Sequence, residues 1–271
     1  MAPYVLRKYR DSNARVLKPV RANAGVEAMF RKRLVKMIEQ MAASVQYWIE
    51  AAYKAHEPKM AMDAIPANEL RDAMRKLSRQ WEHNFDELAD WLADYFAKDV
   101  ADRSDAALQA ALRNAGFTVK FVMTPAMRDI IAATVNQNVA LIRSIPAQYL
   151  SQVEGMVMRS VQTGRDLHQL SKDLQEQLGV TKKRAALIAR SQNEMATSAM
   201  QRARQVEMGV TEAIWMHSHA GKNPRRTHVA MNNKPYDVTK GMWDSDEGEW
   251  VFPGQLINCR CASRSVIKAL Q

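Results

Sequence analysis

Five side chains toward the C-terminal end have the types and spacing for chemistry: His217, His219, His228, Cys259 and Cys261. Two thiolates one residue apart, with His228 and His219, make four soft or borderline donors of the kind that bind Zn2+. A small module gains much from such a site, because metal binding adds directly to folding. The spacing departs from the familiar structural pattern, in which two to four residues separate paired cysteines. In an extended Cys-x-Cys both thiols lie on one face of the strand. The same residues also fit two buried cysteines acting as small hydrophobes beside a hydrogen-bonded His228. A Cys–His nucleophile is a further option, needing a depressed thiol pKa and an orienting third group. A His/Asn/His nuclease centre would use His217, His219, His228, Asn232 and Asp237 to hold a metal and activate water. The order and spacing of that set fit a strand–helix layout poorly. No Gly-x-x-x-x-Gly-Lys-Ser/Thr loop and no Gly-x-Gly-x-x-Gly fingerprint is present, so nucleotide hydrolysis lacks a signature.

The stretch that must position these residues is 210–271. Short apolar runs at 211–217, 234–238, 249–252 and 262–267 are separated by Asn232-Asn233, Lys240-Gly241 and Pro253-Gly254. Those dipeptides are turn signals, so the stretch reads as a small α+β module. Before it, 26–209 reads as helix after helix. Leu70, Met74, Leu77, Trp81, Phe85, Leu88, Leu92 and Tyr95 recur at spacings of three and four, which places them on one helical face. Met29, Leu34, Met37, Ile38, Met41, Val45, Trp48 and Ile49 mark a partner helix, and Pro58 and Pro66 bracket the connecting loop. A helical hairpin over 26–123 follows. Within it, Ser104 is expected to cap a separate short helix closed by Gly116, followed by an extended segment at 117–123. The region 124–209 is expected to restart at Thr124-Pro125, break at Pro146, stop at Gly179 and resume with Thr181 as a cap. Residues 1–25 carry Pro3, Pro19 and scattered Arg and Lys without a sustained period, and read as a basic extended arm. The fold class is thus mainly α: a helical body, a basic N-terminal arm and a small C-terminal module.

The chain has 271 residues and a formal net charge of +10. The charge is uneven: +5 over 1–25, −1 over 26–180 and +6 over 181–271. Basic ends around a neutral middle suit contact with something acidic, and equally suit solubility alone. No run of about 20 apolar residues lacks charge, so no membrane span or membrane partner is expected. The N-terminus has no secretory pattern, and two cysteines cannot make a disulfide framework, so a reducing compartment is expected. The seventeen methionines mostly share helical faces with Leu and Ile and read as core filling.

Several separated elements, in order, resemble the phage head morphogenesis family, the Mu F-like minor head proteins of tailed phages. They are the stretch Lys183 to Glu194 with its Ile188-Ala189-Arg190, the pair Gly209 and Trp215, the stretch Arg225 to Tyr236 with His228 and the turn Asn232-Asn233-Lys234, Pro253, and the closing Asn258-Cys259-Arg260-Cys261. The resemblance covers about 125–271. Asn223 stands where the family has Asp, and Asn233 where it has Gly; Asn tolerates the positive φ such a turn needs. The resemblance implies a structural minor head protein without catalysis, in the virion and, during assembly, the host cytoplasm. Its implied place is the portal vertex or head interior, and its partners the portal protein and the major capsid or scaffold protein. The chain runs ten residues beyond Cys261, and no toxin-like enzymatic domain is expected there.

Beside the resemblance, Lys222, Arg225, Arg226, Lys234, Arg260 and Arg264 are expected either to touch phosphates of double-stranded DNA non-specifically or to form a solvated face. Arg190 and Glu194, one helical turn apart, either pair on the helix surface or reach the C-terminal module and set its orientation. Two other functions stay open: a metal-dependent nuclease or hydrolase built on His228, Cys259 and Cys261, and a DNA-binding accessory protein.

Overall fold

Apolar side chains at three- and four-residue spacing build long helices in the computed structural model, which describes residues 14–55, 67–164, 166–221 and 223–268. The helices are α1 (Ala24–Ala55), α2 (Ala67–Asn114), α3 (Pro125–Gln162), α4 (Leu167–Glu207) and the short α5 (Arg226–Met231). The strands are β1 (Arg15–Val16), β2 (Glu212–Met216), β3 (Pro235–Asp237), β4 (Met242–Asp244), β5 (Glu249–Val251) and β6 (Ala262–Ile267). The fold is mainly helical with a C-terminal β part. Among the described residues no helix is long and apolar enough to cross a membrane.

Helix ends follow local chemistry. Asn23 Oδ1 accepts from the backbone N–H groups of Gly25 and Val26 at the start of α1, and Thr124 Oγ1 accepts from Met127 N at the start of α3. Asp166 Oδ1 accepts from His168 and Gln169 N–H at the start of α4. These bonds satisfy donors that the first helical turn leaves without partners. Gly209, at φ +69, ends α4.

Three expected breaks are absent. Ser104 is buried inside α2 rather than capping a new helix, and α2 runs unbroken to Asn114. Pro146 lies inside α3. Buried Ile142, Ile145, Tyr149 and Leu150 flank it on both sides. Their packing outweighs the roughly 3 kcal/mol that an interior proline costs. Gly179 lies inside α4, and Thr181 Oγ1 donates to Gln177 O instead of capping. The segment 117–123 forms no strand; Phe117, Val119 and Phe121 pack on a cluster of Leu17, Val20, Leu108, Ala111 and Leu112.

The chain divides into two compact units, each assembled from distant segments. One holds Ala28–Asp94 with Val135–Ala189. Its core takes Phe30, Leu34, Ile38, Met41, Val45 and Ile49 from α1, with Leu70, Met74, Leu77, Trp81 and Phe85 from α2. Trp48, expected on that face, is exposed, one step off the stripe set by Val45 and Ile49.

Among the described residues, the other unit holds 14–27, Tyr95–Thr134 and those from Arg190 onward. It contains an antiparallel sheet in the order β1-β6-β2-β3 and a separate β4–β5 hairpin. Within the arm expected over 1–25, residues 1–13 lie outside the described residues. The remainder joins the fold: β1 pairs with β6 through Arg15↔Ile267 and Val16↔Val266, and Leu17 and Val20 are buried. Ala213 and Trp215 pair with Ser265 and Ser263, so all four face one side of the sheet. On that side Gln205 Nε2 of α4 donates to Ser263 Oγ and Ser265 Oγ, and Gln201 Nε2 to Ser263 O. The buried Arg204 anchors the helix. It makes two bonds to Asp105, of 2.9 and 2.7 Å, and one each to Glu207 and Val122 O, and it lies over the Phe121 ring.

Candidate metal centre in the C-terminal module

The turn after β2 sets up the site. Trp215 N donates to Lys234 O, and Asn233 N, at a residue with φ 61, donates to Trp215 O. These bonds bring α5 back over β2, with His228 edge-on to the fully buried Trp215 at a centroid separation of 5.0 Å. The segment leading into β6 then passes His228. Cys259 Sγ lies 3.3 Å and Cys261 Sγ 3.6 Å from His228 Nδ1. The three ligand atoms all lie within 4.8 Å of one another, and the three residues are 2, 4 and 5% exposed.

Behind the imidazole sits Asp244 at the end of β4, fully buried. Its Oδ2 is 3.1 Å from His228 Nε2, a close contact rather than an aligned hydrogen bond. Oδ2 also accepts from Thr227 Oγ1 at 3.0 Å, and Oδ1 from the N–H groups of Asp246 and Glu247. Burial pushes the Asp244 carboxyl up, but these donors and His228 outweigh it and hold the group below the usual carboxylate range. The paired thiols divide a proton unequally. A hydrogen bond from Cys261, with help from His228, holds Cys259 well below the usual thiol range. Donating that bond and being buried push Cys261 up.

The α4 stretch that precedes the module grips the same loop. Arg190 Nη2 donates to Asn258 Oδ1 at 2.7 Å, and Asn258 N donates to Ser191 Oγ at 3.2 Å. Asn258 has φ 62, a left-handed conformation that Asn tolerates better than most residues. Ser198 Oγ donates to Pro253 O at 2.6 Å. Gly254, at φ +85, fits closely: a Cβ there would come within 3.1 Å of Ser198 Cβ and 3.2 Å of Cys261 O. Arg190 thus reaches the module. Glu194 is half-buried, and burial pushes its carboxyl up to about 7, with the Cys259 charge adding to the rise and Arg260 opposing it.

Among the expected site residues, His228, Cys259 and Cys261 converge. His219 does not join them: the chain turns at φ 53 and stacks its ring edge-on against His217 at 4.6 Å. The expected basic contacts have different surroundings. Lys222 lies outside the described residues. Arg225 is tied to Glu247 and Ile257 O, and Arg264 donates to Leu17 O. Arg260 is half-buried; Arg226 and Lys234 are exposed. Asp244, Thr227, Ser191 and Ser198 escaped the sequence reading. None of them has a periodic relation to His228 or the cysteines that could have flagged it.

Comparison with known proteins finds a match over this region. Residues 151–264 match the family described as Phage Mu protein F like protein. That segment is Mu F-like. It starts within α3, includes all of α4 and ends inside β6, so it contains every residue of the histidine–cysteine group and of its α4 grip. The Mu F-like match supports the resemblance to the phage head morphogenesis family. A protein of Haemophilus influenzae (strain KW20 Rd), described as uncharacterized, is 26% identical over 270 residues, covering 96% of this chain. The chain spans 57% of that relative's length. No solved structure matches the chain.

Proposed function

We propose that this chain is a structural protein of a tailed-phage head, acting in procapsid assembly at or near the portal vertex and without catalytic turnover. The Mu F-like match over 151–264 carries the reading. The burial of His228, Cys259, Cys261 and Asp244 supports it, since a hydrolase needs an approach for its substrate and these groups are enclosed. The outer surface of the module suits a protein partner. Trp243 and Trp250, paired across β4 and β5 and about half exposed, offer rigid aromatic contact. The partners in this reading are the portal protein and the major capsid or scaffold protein. Exposed Arg226 and Lys234 would add non-specific contact with packaged DNA.

The test is assembly of procapsids from the phage genes with and without this chain, followed by mass spectrometry of purified heads. The expected result is a fixed copy number per head and defective heads when it is omitted. Normal, infectious heads lacking the chain would refute the reading. Metal-dependent cleavage of DNA by the purified chain, lost in His228→Ala, would replace it with the hydrolase.

A further inference from the structure

We propose that His228 Nδ1, Cys259 Sγ and Cys261 Sγ are the three protein ligands of one Zn2+ ion, that Asp244 orients the imidazole from behind, and that a water-sized ligand completes the coordination. This inference stands on the local geometry and is independent of the head-assembly reading.

Zinc binds Cys sulfur at about 2.3 Å and His nitrogen at about 2.0–2.1 Å, so a tetrahedral ion holds the two donor types about 3.5 Å apart. The observed separations are 3.3 and 3.6 Å. Both nitrogen–sulfur separations therefore match those between vertices of the polyhedron that the ion would fill, and all three donors lie within 4.8 Å of one another. The hydrogen bond from Cys261 to Cys259 gives each sulfur a partner but does not account for the approach of both to the ring. Both sulfurs converge on the same ring nitrogen, whose single lone pair or single proton serves one partner. An ion between the three atoms satisfies all of them. Soft sulfur donors favour zinc over magnesium or calcium.

The imidazole is held as a metal-bound imidazole is. With Nδ1 on the ion, the ring proton sits on Nε2, where a carboxylate or carbonyl usually receives it. Asp244 Oδ2 is 3.1 Å from Nε2 and is fixed by Thr227, Asp246 and Glu247. Nε2 otherwise has no aligned hydrogen bond, although it is buried.

Three donors, rather than the four expected from sequence, follow from the neighbours. His219 packs on His217, and the backbone N–H of His219 donates to His217 Nδ1. A neutral imidazole accepting at Nδ1 carries its proton at Nε2 and has no lone pair left for a metal. Asp244 is engaged with His228. Among the described residues, the group of converging ligands is His228, Cys259 and Cys261. Their burial excludes a bulky ligand from the fourth position. The ion would clip α5 to the entry of β6 in a module whose core is small, where such a clip adds directly to folding.

The full chain, stripped of metal and titrated with Zn2+, provides the test, with Co2+ as the spectroscopic probe. The expected result is one ion per chain and a Co2+ spectrum showing tetrahedral coordination with thiolate charge transfer. His217→Gln and His219→Gln should each keep the ion and the spectrum. Asp244→Asn should keep one ion but weaken affinity about 10- to 100-fold. A folded wild-type chain that takes up no ion, or takes up Co2+ without thiolate charge transfer, would overturn the site. Loss of the ion in His217→Gln or His219→Gln would overturn the three-donor set, and unchanged affinity in Asp244→Asn would remove the role of Asp244. Because Cys259→Ser also removes a core side chain, the wild-type titration carries the decision. Each readout is made on the purified chain, so failure here leaves the assembly reading intact, and failed assembly leaves this one intact.

Discussion

Replacing Glu194 with Gln should make stability less dependent on pH. Burial raises the Glu194 carboxyl from an ordinary value of 4.5 to about 7. Below pH 4.5 the group is protonated in both the folded and unfolded chain, and its contribution to stability is fully present. As pH rises the unfolded chain releases the proton first, so the folded state is progressively disfavoured. The loss is complete once pH exceeds the folded value of about 7. At 1.36 kcal/mol per unit the full shift corresponds to about 3 kcal/mol, and partial solvent exposure reduces this to about 2 kcal/mol. Gln has the same shape and no charge, so Glu194→Gln should be more stable than the wild type at pH 8 by about that amount. The difference should shrink toward zero at pH 4–5. Urea denaturation of both chains at pH 5, 6, 7 and 8, followed by tryptophan fluorescence, measures it. A difference independent of pH, or a Gln variant less stable than wild type at pH 8, would refute the burial argument.

Other substitutions test the grip of α4 on the rest of its unit. Arg204→Met should destabilise by about 3–5 kcal/mol, because Asp105 and Glu207 lose the buried cation that pairs them; thermal melting checks this, and a loss under about 1 kcal/mol would contradict it. Gly254→Ala should cost at least about 1–3 kcal/mol, since it combines a left-handed backbone with close approaches to Ser198 and Cys261; wild-type stability in this variant would show that the loop has slack. Asn258→Gly should lose only the Arg190 hydrogen bond, about 1–3 kcal/mol, and Asn258→Ala should lose that bond and add backbone strain. Equal denaturation midpoints for the two would show that the positive φ is not what selects Asn.

The helical body was legible in the sequence because the spacing of Leu34, Ile38, Met41, Val45 and Ile49, and of Leu70, Met74, Leu77, Trp81 and Phe85, is a local property. So were the endings at Gly116 and Gly209 and the cap at Thr124, each of which depends on one residue's conformational or hydrogen-bonding preference. The breaks expected at Ser104, Pro146 and Gly179 failed because local preferences worth a few kcal/mol at most were set against packing along both flanks of each position. The paired cysteines and the candidate histidines stood out by residue type alone, and the likeness to Mu F proteins, read over about 125–271 from separated residues in order, is matched over 151–264.

Only the tertiary structure decided which imidazole meets the thiols. His219 and His228 look equivalent in sequence, but a left-handed turn directs the first onto His217, and a short helix carries the second to Cys259 and Cys261. Asp244 became visible as the carboxylate behind His228 only when β4 was placed beside α5, and Arg15 and Val16 became part of a sheet only when β6 supplied the edge they pair with. In each case the partner is distant along the chain, and no periodicity or spacing encodes a contact whose free energy exists only after the intervening segments have packed.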